Sequence, residues 1–357
     1  MSGPSTNLGA QNWGATQGGN DALAVRLDGT GEVLWARAYG GTGDESFRKV
    51  AALPSGGFVA VGDSDAPSTS LGAHDWGSAG DDDAIAVCLD DTGGVRWARS
   101  IDSSAADSFS SVAVSPGGLV VSVGESMGAG TDPAAPSWGL EGYRDAVAVG
   151  LDGVSGEVLW ARNYGGQGAD EFRAVDALHA GGFVAAGAAS GPSTNLGEHN
   201  WGYAGDWDDG IVVMLDDAGD ATWSVNAGCE INDVFLAVSA AGDGFIAAGW
   251  SYWESANLGE HNWGHVGTGD QGDAIVVRFG TELPPRPTIP PAPSTPSAPP
   301  AQLPAPDAAS AIPATGDAAA PWLAAAAAGL AASGVALIAR ASRHSKAMRS
   351  FKQSEYQ

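Results

Sequence analysis

The sequence predicts an all-β fold of repeated four-stranded sheets, and three observations carry that prediction. A Trp-Gly pair recurs at Trp13, Trp76, Trp138, Trp201 and Trp263, at intervals of 63, 62, 63 and 62 residues. A second Trp keeps the same period at Trp35, Trp97, Trp160 and Trp223, and an aromatic follows each by twelve residues, at Phe47, Phe109, Phe172 and Phe235. Within each period, four short apolar runs alternate with Gly- and Asp-rich turns, the signature of stacked supersecondary units.

The first copy reads most clearly from Asp21, "DALAVRLDGTGEVLWARAYGGTGDESFRKVAALPSGGFVAVGDS". Its strands are expected at Ala22 to Leu27, Val33 to Tyr39, Phe47 to Leu53 and Gly57 to Gly62. The first alternates in polarity, and the second is rich in Val, Leu and aromatics. The third carries the repeating Phe, and the fourth is the apolar run "GFVAVG". Between them "DGTG", "GGTGDE" and "PSGG" supply the Gly and Asp that tight turns need. Later copies begin "DAIAVCLD" at Asp83, "DAVAVGLD" at Asp145 and "DGIVVMLD" at Asp209, and a fragment "DAIVVRFG" follows from Asp273. No run has the length or period of an amphipathic helix. Gly makes up 53 of 357 residues, which suits a chain of many turns.

Four strands per unit with regular Trp and Gly markers is the pattern of a β-propeller blade, with an open β-solenoid as the competing fold. Each copy resembles the bacterial β-propeller repeats called SBBP repeats, in which an Asp-Ala strand, Leu-Asp and a Gly turn precede a strand ending in Gly-Gly. An Asp, a Val strand and a closing Gly-aliphatic-Val-Gly strand complete that pattern. It stands here as Asp83 to Ser126 and its sisters. The remainder of each unit is an insertion carrying "NLGxHxWG", a departure from that family.

"SGPSTNLGAQNWG" (Ser2 to Gly14) nearly repeats "SGPSTNLGEHNWG" (Ser190 to Gly202), so Met1 falls where Ala189 falls, inside an inter-strand loop. Further copies are therefore expected upstream, and the fifth first-strand at Asp273 to Gly280 is expected to be surplus in a ring of four. The organisation expected is repeats over 1–280, a Pro- and Ala-rich stalk over 281–311, and a terminal signal over 312–357.

That terminal signal rests on order. "IPATG" (Ile312, Pro313, Ala314, Thr315, Gly316) precedes an apolar stretch from Ala318 to Ala339 and the basic tail "RASRHSKAMRSFK". This resembles the cell-wall sorting signal of Gram-positive surface proteins, with Ile312 in place of the usual Leu. The resemblance implies that a sortase thiol attacks the Thr315 carbonyl, releases Gly316 onward and passes the acyl group to an amine of a cell-wall precursor. The span of 22 residues is long enough for a bilayer core of roughly 30 Å, so a transient membrane helix is implied. Its basic flank would remain cytoplasmic. The implied location is the cell surface.

Before Pro284, ten Lys and Arg stand against 39 Asp and Glu, a formal charge of −29. Such a field repels nucleic acid and anionic lipid, so neither is an expected partner of the repeats. Cys88 and Cys229 occupy non-equivalent places and are not expected to pair.

No Ser-His-Asp spacing, phosphate loop or Cys cluster is present, so no enzyme and no cofactor are expected. Asp21, Asp83, Asp145, Asp209 and Asp273 recur before each first strand, where an Asp caps its own turn. One such loop, with Asp206, Asp208 and Asp209, also offers the oxygen ligands calcium takes, although it lacks a DxDxDG pattern. His74, His199 and His261 give way to Gln11 and Pro136 in the other copies, as packing residues do. Trp76, Trp201 and Trp263 are the candidate ligand contacts, since indoles stack on glycans or pack on proteins. They serve equally as wedges between blades. Two function classes follow: a displayed binding or adhesion module for an extracellular glycan or protein, and an exported polysaccharide-active propeller enzyme whose catalytic part lies upstream.

Overall fold

The computed structural model describes residues 18–280, apart from 77–81, 102, 104, 131–138, 140–141, 203–206, 229–230, 253, 255–257, 259–261, 263 and 265–271. The expected stalk, Ile312 to Gly316 and the apolar span lie outside the described residues, as do Trp263, Asp206 and Cys229. Seventeen strands are described. β1 (Ala22–Leu27) and β2 (Val33–Tyr39) form a hairpin. β3 (Glu45–Ala52), β4 (Phe58–Ser64), β5 (Asp83–Leu89) and β6 (Val95–Ile101) form the first four-stranded sheet. The second holds β7 (Asp107–Val114), β8 (Leu119–Ser126), β9 (Asp145–Asp152) and β10 (Val158–Tyr164). The third holds β11 (Asp170–Ala177), β12 (Phe183–Ala189), β13 (Asp209–Leu215) and β14 (Ala221–Ala227). β15 (Asp233–Ala241), β16 (Gly244–Ser251) and β17 (Asp273–Phe279) form a three-stranded sheet. All neighbouring strands within these sheets run antiparallel.

The all-β expectation holds, and the strand runs expected in the first copy match β1 to β4 closely. The sheet boundaries fall elsewhere. Each four-stranded sheet takes its last two strands from the next sequence copy, so a unit read from Asp21 straddles two sheets. The "NLGxHxWG" insertion consequently lies within a sheet, as the β4–β5 and β12–β13 loops, and not between sheets. Contiguous homology defines the repeat, but hydrogen bonding defines the sheet.

A bulge follows the repeating Phe at the same place in every sheet, between Phe47 and Lys49, Phe109 and Ser111, Phe172 and Ala174, and Phe235 and Ala237. The partner of each Phe is a glycine: Gly62, Gly124, Gly187 or Gly249. A Cβ on Gly62 would collide with the Ser46 carbonyl oxygen, and the other three meet the equivalent carbonyl. The closing Gly of "GFVAVG" is therefore a close-approach residue that lets the bulge form.

Sheets stack face to face in chain order, with the edge strands β3, β7, β11 and β15 packed side by side. Val59, Val61, Ala86 and Trp97 of the first sheet meet Phe109, Val112, Val147 and Val149 of the second. The next interface joins Val121, Val123 and Trp160 to Phe172, Val175 and Ile211. Each buried Val, Leu or Ile contributes roughly 1.5–3 kcal/mol. Cys88 is sealed in the first interface, and burial pushes its thiol up to about 11, so it packs as a small apolar group.

The second repeating Trp latches one sheet to the next. Trp35 Nε1 donates to the Asp91 carbonyl at 2.9 Å, Trp97 Nε1 to Gly153 at 3.3 Å and Trp160 Nε1 to Asp217 at 2.9 Å. Each acceptor sits in the hairpin turn of the following sheet. The same turn holds a glycine at positive φ under the ring: Gly93 (78°), Gly156 (70°) and Gly219 (79°). A Cβ on Gly156 would meet Trp97 at 2.5 Å, and one on Gly219 would meet Trp160 at 2.7 Å. Trp97 and Trp160 are buried, whereas Trp35 and Trp223, at the two ends of the stack, are half-buried.

Two substitutions test the latch. Trp97→Ala is expected to cost about 3–5 kcal/mol, as large-to-small core changes do. Gly156→Ala combines a strained φ with overpacking and is expected to cost about 2–3 kcal/mol. Denaturant unfolding of the double variant should fall short of the sum, because the strain at position 156 needs the ring above it. Full additivity would show that the two residues do not act together.

Candidate functional site

The two ends of the sheets differ. One end carries tight turns such as Pro54–Gly57 and Asp90–Gly94, and the other carries the long insertions and the crossings from sheet to sheet.

The insertion is a built loop. Ser68 in the first copy and Ser193 in the third reach back to the Trp-Gly pair. Trp76 N donates to Ser68 Oγ at 2.9 Å and Trp201 N to Ser193 Oγ at 2.8 Å. The Asx residue before each Trp closes the turn: Leu71 N donates to Asp75 Oδ1 at 2.8 Å and Leu196 N to Asn200 Oδ1 at 2.7 Å. A short 3-10 turn lies between, Gly72–His74 and Gly197–His199. Trp76 and Trp201 are buried, and their indole N–H groups donate to Ser64 Oγ (3.1 Å) and Gly191 O (3.0 Å). Trp201 packs in the core between the second and third sheets. His74 and His199 remain half-exposed on the turn.

The recurring acids converge beneath these loops. Asp21, Asp83, Asp145 and Asp209 are all buried, and so are the acids that open β3, β7, β11 and β15, namely Glu45, Asp107, Asp170 and Asp233. Members of the two sets face each other across each sheet junction. A Cβ on Gly228 would lie 2.5 Å from Asp209 Oδ1 and 2.7 Å from Asp233 Oδ2. Backbone and amide donors hold them in place. Ser103 N donates to Asp107 Oδ2 (2.7 Å), Gly166 N to Asp170 Oδ2 (2.9 Å), Asn163 Nδ2 to Asp145 Oδ2 (2.6 Å) and Asn226 Nδ2 to Asp209 Oδ2 (2.9 Å). Burial, then the neighbouring acid, pushes Asp107 up to about 6 and Asp170 up to about 7 against those donors. Burial likewise pushes Glu45 up to about 7, opposed by the Gly41 N–H and reinforced by Asp21.

At the junction of the second and third sheets the framework departs from the repeat. Arg144 stands where other copies have Asn20, Asp82 and Asp208, and Glu171 stands where they have Ser46, Ser108 and Val234. Arg144 reaches Glu125 at 2.7 Å and Glu171 at 3.5 Å, while Arg173 binds Glu171 at 2.5 Å. Burial holds Glu125 above its ordinary range. Burial disfavours ionised Glu171 as well, but Arg144 and Arg173 outweigh it and hold that carboxyl low, while Glu125 hydrogen-bonds to it. Asp208 joins the cluster and is raised by burial and by Glu171. Asp209 accepts from Asn226 Nδ2 at 2.9 Å, and Asp206, the third candidate calcium ligand, lies outside the described residues. Among the described residues no three His, Cys, Asp or Glu side chains group as a metal site.

A polar groove of about 440 Å³ opens on the outer side of the same junction, lined by Arg162, Asn163, Tyr164, Asn195, Leu196 and Asp220 among others. Arg162 and Asp220 pair at 3.0 Å, both partly exposed. Asn195 Nδ2 donates to the Asn163 carbonyl at 3.1 Å and its Oδ1 accepts from Gly165 N at 3.0 Å, which anchors the insertion loop to β10. Sequence reasoning missed both the Arg144 cluster and the groove. The signal available was the departure from the repeat at Arg144 and Glu171.

No protein-family model matches the chain, and no curated protein matches it. Among the described residues no helix is long and apolar enough to cross a membrane.

The buried acids set a pH dependence. A carboxyl raised from about 3.8 to about 7 binds its proton in the folded state but not in the unfolded one between those values. Its stabilising contribution is thus complete below pH ~4 and is lost as pH rises through ~7. Asp170→Asn keeps the acceptor for Gly166 N and removes the charge. It is expected to raise stability at pH 8 by on the order of 2 kcal/mol and to change little at pH 4. Thermal melts at the two pH values check this, and an equal effect at both would contradict it.

Proposed function

We propose that the chain is a wall-anchored, surface-displayed β-propeller that binds an extracellular glycan. The observation carrying the binding reading is the polar groove beside Arg162, Asn195 and Asp220. Its volume lies within the range of small-ligand sites. A guanidinium, amides and a carboxylate at its rim supply the planar donors and acceptors that match sugar hydroxyls. Anchoring rests on the order of "IPATG", apolar span and basic tail at the C-terminal end of the sequence. Closure of the sheets into a ring belongs to the same proposal, supported by face-to-face stacking in chain order.

The polysaccharide-active alternative finds no support in the Glu125–Glu171 carboxyl pair. Glu125 and Glu171 hydrogen-bond directly to each other, whereas glycosidase carboxyls stand about 5–9 Å apart with a sugar between them.

Two measurements test the proposal. A glycan array probed with the chain and with the Arg162→Ala/Asp220→Ala variant should show binding that the variant weakens by about tenfold, the loss of roughly 1.4 kcal/mol of polar contact. Equal binding by both would remove the groove from the account. In a Gram-positive host exporting the chain, Thr315→Ala should move it from the wall fraction to membrane or medium. Persistence of the variant in the wall would refute sortase anchoring.

A further inference from the structure

We infer that the polar groove of Arg162 is one station of a row, and that its ligand is a linear, neutral polysaccharide laid along the outer edge of successive sheets. This inference rests on the glycan reading and deepens it, from a sugar to a polymer with a repeating unit. Two observations carry it.

The first is a repeated guanidinium. Arg37, Arg99 and Arg162 hold the same place, two residues after the latch Trp, on β2, β6 and β10. Each of these strands is an edge strand of its sheet. Each Arg also crosses to the hairpin turn of the following sheet. Arg99 Nε donates to the Gly156 carbonyl at 3.0 Å and Arg162 Nε to the Ala218 carbonyl at 3.2 Å. A Cβ on Gly93 would lie 3.1 Å from Arg37 Cδ, so Arg37 covers the equivalent turn. These contacts hold the three guanidiniums in place, with Arg37 and Arg99 exposed and Arg162 half-buried. Val225 takes the equivalent place in the fourth copy and ends the row on that side.

The second is that the walls of the groove repeat with the Arg. At Arg162, Tyr164 Oη donates to the Gly219 carbonyl at 2.7 Å, Gly165 N to Asn195 Oδ1 at 3.0 Å and Thr194 N to the Gly165 carbonyl at 2.8 Å. At Arg37, Tyr39 Oη donates to the Gly93 carbonyl at 2.8 Å, Gly40 N to Ser70 Oγ at 2.9 Å and Thr69 N to the Gly40 carbonyl at 3.0 Å. One clamp closes both places, with Ser70 standing for Asn195. Between them Arg99 lies on the Gly156 turn, and residues 131–138 of that insertion lie outside the described residues.

The row specifies the ligand. Three of the ten Lys and Arg before Pro284 stand in it, inside a field of −29. A planar guanidinium fork donates to paired hydroxyls of a sugar ring, while the surrounding acidic field repels polyanionic glycans. Sheets packed face to face lie about 10 Å apart, so one station is at least that far from the next. A short oligosaccharide engages a single station. A longer chain reaches the next one without a second loss of translational freedom.

The test is a length series on the full chain: dimers, tetramers and octamers of neutral linear glucans, mannans, xylans and chitin, followed by calorimetry. The expected result is binding of at least one of these polymers, its octamer held at least about tenfold tighter than its dimer. Arg99→Ala should bring the ratio of octamer to dimer affinity close to one. A merely weakened fold lowers both affinities alike and leaves that ratio unchanged. Arg37→Ala should reduce the ratio too, independently of the Arg99 bond to Gly156. Equal affinity for dimer and octamer would overturn the row while leaving the single groove as a glycan site. An octamer advantage that survives both substitutions would also overturn it. Binding of no oligomer in the series would overturn the row, and a blank glycan array would remove the glycan reading with it.

Discussion

The structure depends on one contact repeated along the stack, an indole ring lying on a glycine of the next sheet. A single sheet of this kind has two apolar faces and two edges, and it cannot be stable alone. Stacking requires that each sheet know where its neighbour begins. Trp35, Trp97 and Trp160 provide that registration, each donating to a turn carbonyl while its ring covers Gly93, Gly156 or Gly219. Tyr39 and Tyr164 reinforce it by donating to the carbonyls of Gly93 and Gly219 at 2.8 and 2.7 Å. The contact is directional at the hydrogen bond and intolerant of any side chain beneath the ring. That combination fixes both the separation and the slide of adjacent sheets, which the apolar faces alone would leave loose.

What the sequence makes legible follows from this. Trp, Phe and Gly recur because each occupies a place where nothing else fits, so their period reveals the unit and its strands. The sheet boundary is not legible in the same way. β2 leads into β3 through Gly40–Gly41 and β4 leads into β5 through a long insertion, yet it is the short connection that changes sheets and the long one that stays within a sheet. Connection length ordinarily argues the reverse. The reason lies in the crossing: Glu45 N donates to the Asn20 carbonyl and Asp107 N to the Asp82 carbonyl, so the first strand of a sheet starts by pairing with the chain just before the third strand of its neighbour. Five residues, such as 40–44, suffice to pass from one to the other.

The candidate site shows a second limit of sequence reading. The recurring Asp residues were visible, but their partners Glu45, Asp107, Asp170 and Asp233 lie 24 or 25 residues later and belong to another sheet. Neither residue of a pair predicts its own burial. The insertion Trp residues were conspicuous for their size and recurrence, and the structure assigns Trp76 and Trp201 to holding the loop closed. The groove's side chains are inconspicuous for the opposite reason: Arg162 recurs as Arg37 and Arg99, and Asn195 belongs to the recurring "NLG", so neither stands out from its copies.

A repeat protein divides its residues between those that every copy needs and those that a single junction can change. The latch, the bulge glycine and the buried acids belong to the first group, because each satisfies backbone or packing demands common to all sheets. Arg144, Glu171 and Arg173 belong to the second. Their network brings two guanidiniums against three carboxyls around the buried Glu171, with Arg173 exposed at its margin. Its occurrence at one junction only, beside the groove of Arg162 and Asp220, has a physical consequence. The ion pairs tie the second sheet's Arg144 and Glu125 to the third sheet's Glu171, across the sheet contact on whose outer side the groove opens. Under the proposed glycan reading, a rigid sheet contact would lower the entropy lost when a flexible, hydroxyl-rich ligand is fixed. The acidic character of the repeats then adds a selection of its own, since a field of this sign favours neutral or cationic ligands over anionic ones.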